Sequence, residues 1–373
     1  MVNEERLIAS FLRMVKTDSL SGQEAPMRDL LKEEIIKRGF EVHEDDAGTI
    51  LNGNSGNLLV KIPGTVKKPA ILFAAHMDTV KPGQGIRPQI DEVGIIRSSG
   101  DTILGSDDKS AIAALLEVCD VLKEKGLDYP PLELLFTVSE EQGLMGAKAF
   151  DTNQLQARYG YVLDGGGEPG VIIVQSPCQN EMEYTAWGKA AHAGINPEDG
   201  INAIHLVAAA LATMPCGRID SETTCNFGGI EGGKARNIVA DFCRVRGEVR
   251  SLNRDKLDHL TAELEGKFRE EVEKLGGKAE VEVTFLYPEI KLDGNDEVVK
   301  LAVEAAKSIS LNPQLLATGG GSDASIINGR GISCANLGVG MKDVHTCNEH
   351  ISIRDLVNDA RWVLAIIEAA VQA

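Results

Sequence analysis

The stretch "AILFAAHMDTV" (Ala70–Val80) decides the fold. An apolar run without alternation reads as a strand buried on both faces, because a sheet with one wet face alternates apolar and polar residues. This run ends on His76 and Asp78, whose spacing of two puts them on the same side of the chain. Three further runs have the same texture: "NLLVKIPG", "LELLFTVSEE" and "YGYVLDGGG". Between them lies "GSDDKSAIAALLEVCDVLKEKGL", a helix with Asp107 and Asp108 at its positive N-terminal end and Gly126 at its finish. The alternation predicts an α/β protein with a mostly parallel, doubly wound sheet and a ligand site outside the carboxyl ends of its strands.

Upstream, "MVNEERLIASFLRMVKT" carries Leu7, Phe11, Met14 and Val15 at helical spacing, unlike a signal peptide. A second helix follows in "SLSGQEAPMRDLLKEEIIKRGF", with Ser21 and Glu24 spaced as a capping box and Gly39 as its stop.

Near Gln175 the texture changes. Strand "NEMEYTAWG", helix "GINAIHLVAAALATM", strands "TTCNFGGIEGG" and "FCRVRGEVRS", helix "RDKLDHLTAELEGKFREEVEKLG" and strand "KAEVEVTFLYPEI" give the order βαββαβ. That is the ferredoxin-like plan, a helix pair on one antiparallel sheet. The expected organisation is therefore a first domain of residues 1–177 and 289–373, interrupted by an inserted α+β domain of residues 178–288, with hinges near Gln175 and Pro288.

The chain has 373 residues, 43% of them hydrophobic and 25% charged, with a formal net charge of −18. That charge repels polyanions, which excludes nucleic acid and anionic membrane as partners and favours a small substrate. No apolar run reaches the roughly 20 residues of a membrane span. Seven scattered cysteines without a C-x-x-C pair indicate neither a disulfide framework nor a thiolate zinc site, and a cytoplasmic setting is expected.

Acids or histidine recur where the predicted strands end or the helix begins: His76 and Asp78, Asp107 and Asp108, Glu140 and Glu141, and Asp164. So many carboxylates at one sheet edge would repel one another unless cations neutralised them. Imidazole mixed with carboxylate favours zinc, cobalt or manganese. His76, Asp107, Glu141, Asp164 and a late histidine are too many for one ion and suit two that share a carboxylate. In the doublet Glu140–Glu141 neighbouring side chains point opposite ways, so one acid can face a metal and the other a substrate.

The motifs "HMDTV", "LGSDDKS", "SEEQGLMGAK", "LDGGG", "AAHAGINPEDGINAI", "GEVRS" and "DVHTCNEHI" follow one another as in the di-zinc aminoacylase and carboxypeptidase family of metallopeptidases. Over essentially the whole chain the sequence resembles that family, and its spacing is most similar to the peptidase T, or tripeptide aminopeptidase, branch. The resemblance implies that His76 and Asp164 bind one metal, Glu141 and His345 the other, and Asp107 both. It further implies that Glu140 is the general base acting on a metal-bridged hydroxide, and that Asp78 orients His76. Asp107 is preferred to Asp108 because the family's ligand lies two residues before the lysine, here Lys109. His345 is preferred to His350 because the family's histidine lies four before the glutamate, here Glu349.

In the inserted domain the resemblance gives His192 the role of oxyanion donor, and Asn237 and Arg250 the role of holding the substrate's carboxylate. Gly320 and Gly321, in the triple-glycine segment "TGGGSDASIINGRGI", would line the substrate cleft with backbone amides; the segment lacks the lysine and spacing of a phosphate loop. His43, His205 and His259 are read as structural or solvated. The implied activity is metal-dependent removal of the N-terminal residue of a tripeptide, by a homodimer formed through the inserted domain. The alternatives are an N-acyl amino acid amidohydrolase or dipeptidase with the same centre, and a non-catalytic peptide- or metal-binding protein.

Overall fold

Leu7, Phe11, Met14 and Val15 form the buried stripe of α1 (Glu4–Val15), whose first turn is capped by the Asn3 side chain. This computed structural model describes residues 2–373. Helix α2 (Ala25–Lys37) ends before Gly39, which takes φ +84. The capping box expected at its start does not form. The N-cap is Glu24, without a side-chain cap bond, and both Ser21 and Glu24 turn to distant partners instead.

Strand β1 (Val42–Glu44) and the short α3 (Ala47–Leu51) precede the first long strands, β2 (Leu58–Ile62) and β3 (Ile71–His76). A hairpin of β4 (Pro88–Ile90) and β5 (Ile95–Ser98) leads to α4 (Ser106–Lys125). Then come β6 (Leu132–Thr137), α5 (Met145–Ala149), β7 (Tyr159–Gly165) and β8 (Val171–Ser176).

The chain divides into two compact units, one of them made of the residues up to Gln175, Lys291–Thr318 and Ser322–Ala373. The other comprises Ser176–Ile290 with Gly319–Gly321, so the chain leaves and re-enters the first unit within two residues of the expected boundaries. The second unit contains β9 (Cys178–Trp187), α6 (Ala203–Thr213), β10 (Gly217–Arg218), β11 (Thr223–Gly232), β12 (Phe242–Ser251), α7 (Arg254–Lys274) and β13 (Lys278–Tyr287). Its antiparallel sheet runs β10-β11-β12-β9-β13, with the first and third long strands in the middle, the ferredoxin-like order. Tyr184, Leu206, Leu257, Leu264 and Phe268 belong to one buried core beneath α6 and α7. Phe268→Ala there would cost about 3–5 kcal/mol.

The first unit is completed by β14 (Ile290–Lys291), α8 (Glu297–Ser308), β15 (Gln314–Ala317), α9 (Asp323–Gly329), β16 (Ser333–Gly338), β17 (His350–Ser352) and α10 (Ile353–Gln372). Its large sheet has the order β1-β2-β6-β3-β7-β16-β8-β14, with β15 beside β8. The centre, β6-β3-β7-β16, is parallel, while β1 and β2 on one side and β8 next to β16 run antiparallel. A second, small sheet β17-β5-β4 went unpredicted, because strands of three or four residues carry too little periodicity to read.

Register decides where the polar strand ends fall. His76 pairs with Thr137, three residues before Glu140. Ala74 pairs with Val162, two residues before His76 and Asp164 in their own strands. Parallel pairing thus brings His76, Asp164 and the Glu140 loop to one edge of the sheet. All seven cysteines are free, and among the described residues no helix is long and apolar enough to cross a membrane.

Candidate metal centre

Three loops and two strand ends meet at that edge. His76 Nε2 lies 2.9 Å from Asp107 Oδ1, and His345 Nε2 lies 3.2 Å from Asp107 Oδ2 and 2.9 Å from Glu141 Oε1. Donor atoms of His76, Asp107 and Asp164 fall within 4.8 Å of one another, and so do those of Asp107, Glu141 and His345. Two triads, each one imidazole and two carboxylates, therefore share Asp107. A third grouping within the same reach joins His76 to Glu140 and Glu141.

The backbone that carries these groups is irregular. Gly105 caps α4 at φ +73, and Asp107 and Asp108, joined by a cis peptide, have non-helical ψ of 100° and 29°. Both aspartates stand at the N-terminal end of α4 as expected, but a kink there replaces a regular first turn. Asp107 points at the histidines, whereas Asp108 Oδ2 accepts from the His76 backbone N–H at 3.1 Å. His345 has φ +62, and Ser139, one residue before the glutamate pair, has φ +50. Positive φ at a side-chain-bearing residue is strained, and here it falls at a candidate ligand and just before the glutamate doublet.

Asp78 is wholly buried behind His76. His76 Nδ1 lies 3.0 Å from the Asp78 carbonyl oxygen and 3.5 Å from its Oδ1. The same carboxylate accepts from Glu140 N at 2.9 Å, from Glu141 N at 3.2 Å and from Ser21 Oγ at 2.7 Å. It thus holds the glutamate doublet as well as the histidine.

The electrostatics are those of a site that needs cations. Burial, and then the charge of Asp164, pushes Glu140 well above the ordinary carboxyl range; burial, and then Asp107, does the same to Asp164. Burial acts upward on Asp107 too, but hydrogen bonds from His345 and His76 hold it low. His345 is raised to about 10 by its bonds to Asp107 and Glu141. His76 loses to burial but gains more from Asp107 and Asp78, and it ends well above its usual value. The two raised acids and the bonds from the histidines mark a carboxylate cluster with little positive charge of its own. The Oδ1 atoms of Asp108 and Asp323, both buried here, have no hydrogen-bond partner among the described residues. A donor set of imidazole and carboxylate, crowded and short of positive charge, fits hard or borderline divalent ions such as zinc, cobalt or manganese.

Three participants hold the site without a site role in the sequence, where Glu24 stands only as a capping residue and Glu349 only as a marker for His345. Glu24 Oε1 accepts from the N–H and Oγ of Ser139, both at 3.1 Å, and so anchors the strained residue before the glutamates. Asp323 Oδ2 accepts from Thr137 Oγ1 at 2.5 Å, and burial raises its carboxyl to about 6. Glu349 accepts from the backbone of the Asp107 turn. Lone acids carry no periodic or motif signal; Glu24 in particular was absorbed into a local capping pattern.

The remaining expected residues lie in the second unit. His192 is exposed, forms an isolated bridge with Ile238, and accepts on Nδ1 from Gly194 N at 3.2 Å. Its neighbour Ala193 donates its N–H to the Asn237 carbonyl at 3.0 Å, so His192 and Asn237 share one loop pair. Arg250 is engaged by Glu248 at 3.0 and 3.1 Å and donates from Nη1 to the Gly319 carbonyl at 3.0 Å. A Cβ at Gly321 would come within 2.4 Å of the Tyr287 ring, so only glycine fits there, whereas Gly320 faces open space.

Fold and donor set together define a metal-dependent hydrolase of the α/β class. Residues 72–369 match the model of peptidase family M20/M25/M40, and the chain belongs to that family of metal-dependent peptidases. It is 44% identical over 370 residues, 99% of this chain and 100% of the relative, to the uncharacterised protein YqjE of Bacillus subtilis. Among solved structures it resembles aminopeptidase PepT from Bacillus cereus, with 43% identity, 99% coverage of each chain and a TM-score of 0.93. It also resembles a tripeptidase from Staphylococcus aureus, with 39% identity, full coverage of both chains and a TM-score of 0.96.

Proposed function

We propose that this peptidase is a two-metal aminopeptidase that removes the N-terminal residue of short peptides, tripeptides foremost. The observation that carries the reading is the pair of donor triads sharing Asp107. Likeness to an aminopeptidase and a tripeptidase over the whole chain supports the substrate class. His76 and Asp164 would hold one ion, Glu141 and His345 the other, and Asp107 both, with zinc the first choice and cobalt or manganese the alternatives. When bound, such ions polarise a scissile carbonyl and make water acidic enough to be deprotonated near neutral pH.

The protein's own groups do the rest. Glu140, largely buried and held through its backbone by Asp78, takes a proton from the attacking water and returns it to the departing amine. Asp78 fixes the His76 ring and the glutamate doublet in one arrangement. His192 donates to the oxygen on which negative charge develops. Arg250 and Asn237 bind the peptide's carboxylate, Arg250 exchanging its hold on Glu248 for the ligand. Gly320 and Gly321 line the peptide with main-chain amides. The second unit would also serve as lid and as the surface of a homodimer, in a cytoplasmic enzyme.

The deciding experiment is a substrate panel with added zinc, cobalt or manganese: di-, tri- and tetrapeptides with free or blocked N-termini, and N-acyl amino acids. The expected result is release of the N-terminal residue from free tripeptides. Cleavage confined to N-acyl amino acids, or to dipeptides, would overturn the aminopeptidase reading, and metal binding without any cleavage would indicate a binding protein.

A further inference from the structure

Glu349 has no part in the mechanism above, yet it makes one of the most heavily bonded side-chain arrangements in the first unit. The residue is only 1% exposed. Its Oε2 accepts from the N–H groups of Leu104 and Gly105, each at 2.8 Å; its Oε1 accepts from Ser106 Oγ at 2.6 Å and from the Asp107 N–H at 3.0 Å. One carboxylate thus receives four hydrogen bonds from four consecutive residues, the last of them Asp107.

The local backbone explains why it is needed. Leu104 and Gly105 precede α4 and Asp107 sits at the kink in its first turn, and N–H groups at a helix start have no carbonyl of their own helix to bond. Buried and unbonded, they would destabilise the turn, and the turn would be free to rearrange. Glu349 supplies the acceptors from 242 or more residues away in sequence.

The other end of the clamp is equally placed. Glu349 stands four residues after His345, in a loop closed by the antiparallel bridge between Lys342 and His350. Within that loop its N–H bonds to the Thr346 carbonyl at 3.1 Å, and Asp343 and His345 both have positive φ. One residue therefore ties the loop carrying His345 to the turn carrying Asp107, whose side chains meet at 3.2 Å.

We propose that Glu349 is a positioning residue of the metal centre, fixing the Asp107 turn so that both Asp107 oxygens face their triads. The proposal rests on the reading of Asp107 as the shared ligand, and it has a consequence of its own. Loosening a shared ligand weakens both ions together, whereas loss of an unshared ligand weakens one.

The test compares Glu349→Gln, Ser106→Ala and His345→Ala with the native protein, each stripped of metal. Zinc binding is measured against a competing chelator, the visible spectrum is recorded with cobalt, and folding is checked by circular dichroism. An amide cannot accept on both sides, so Glu349→Gln leaves the Asp107 N–H or its neighbours unbonded. It should weaken both ions by about 10–100-fold and alter the cobalt spectrum. Ser106→Ala, which removes one bond of four, should weaken both by about fivefold. His345→Ala should weaken one.

A folded Glu349→Gln protein with native affinities and spectrum, or with only one ion weakened, overturns the proposal. If Glu349→Gln does not fold, Ser106→Ala decides, and unchanged affinities for both ions overturn it. If instead His76→Ala and His345→Ala bind metal as the native chain does, the metal centre itself has been misassigned, a failure visible without any change at Glu349.

Discussion

Ser21 and Asp78, 57 residues apart in the chain, meet in a 2.7 Å hydrogen bond from the serine hydroxyl to Asp78 Oδ2. The bond joins the turn before α2 to the carboxylate behind His76. That carboxylate also accepts from the backbone of both Glu140 and Glu141, so the proposed base and a proposed ligand share one anchor.

Asp78→Asn keeps the shape of the anchor but offers an amide where acceptors are needed, setting an N–H against the Glu140 N–H or against the Glu141 N–H. The expected result is a fall in kcat of about 10–100-fold with most of the metal retained. Steady-state kinetics beside metal analysis decides it. Loss of one full metal equivalent would instead make Asp78 a ligand.

Glu140→Ala removes the proposed proton carrier and leaves both triads that share Asp107 intact. Turnover should fall by about 10²–10⁴-fold while two metal ions per chain still bind. A variant with near-native kcat would remove Glu140 from the base role.

How far sequence could reach is visible in these same residues. His76, Glu140 and Asp164 were legible because buried strands announce themselves as apolar runs, and parallel pairing brings their polar ends to one edge. Ser21 and Glu24 were misread, since S-x-x-E describes a local capping pattern and says nothing of a carboxylate or a strained loop far along the chain. Asp107 and Asp108 stand at the start of α4 as the sequence suggests, but the kink that carries them leaves no trace in the helical spacing of the residues beyond. Asp323 has no pattern at all, and Glu349 serves in the sequence only as a marker for His345; their partners are backbone and hydroxyl groups that only the folded chain brings near. The ferredoxin-like unit was the most readable part, with long alternating strands and two amphipathic helices in the order of that plan.

His192→Ala tests the contribution of the second unit to the chemistry. If this histidine donates to the developing negative oxygen, its loss should lower kcat by about 10²–10³-fold and leave KM within a few-fold, because the bond strengthens only as charge builds. A rise in KM with kcat unchanged would assign His192 to ground-state peptide binding.

Glu34 gives a prediction about stability that is independent of the metal centre. It lies in α2 with its side chain 9% exposed, and its carboxylate meets Arg13 Nη2 and Arg38 Nη1, each at 2.9 Å, and Lys37 Nζ at 3.2 Å. Burial pushes this carboxyl upward, but the bonds from Arg13, Arg38 and Lys37 outweigh it and hold it at about 2, against an ordinary value of 4.5. The folded chain therefore binds the proton more weakly than the unfolded chain does. The stabilisation is complete above the ordinary value and disappears as pH falls from there through about 2. Glu34→Gln should lower the free energy of unfolding at pH 7 by about 1–3 kcal/mol. The gap to the native protein should narrow at pH 4 and shrink to about a quarter of its pH 7 size at pH 2.5. Urea unfolding of both proteins at the three pH values measures it, and a gap that stays constant across them would show that the ion pairs around Glu34 contribute nothing to acid sensitivity.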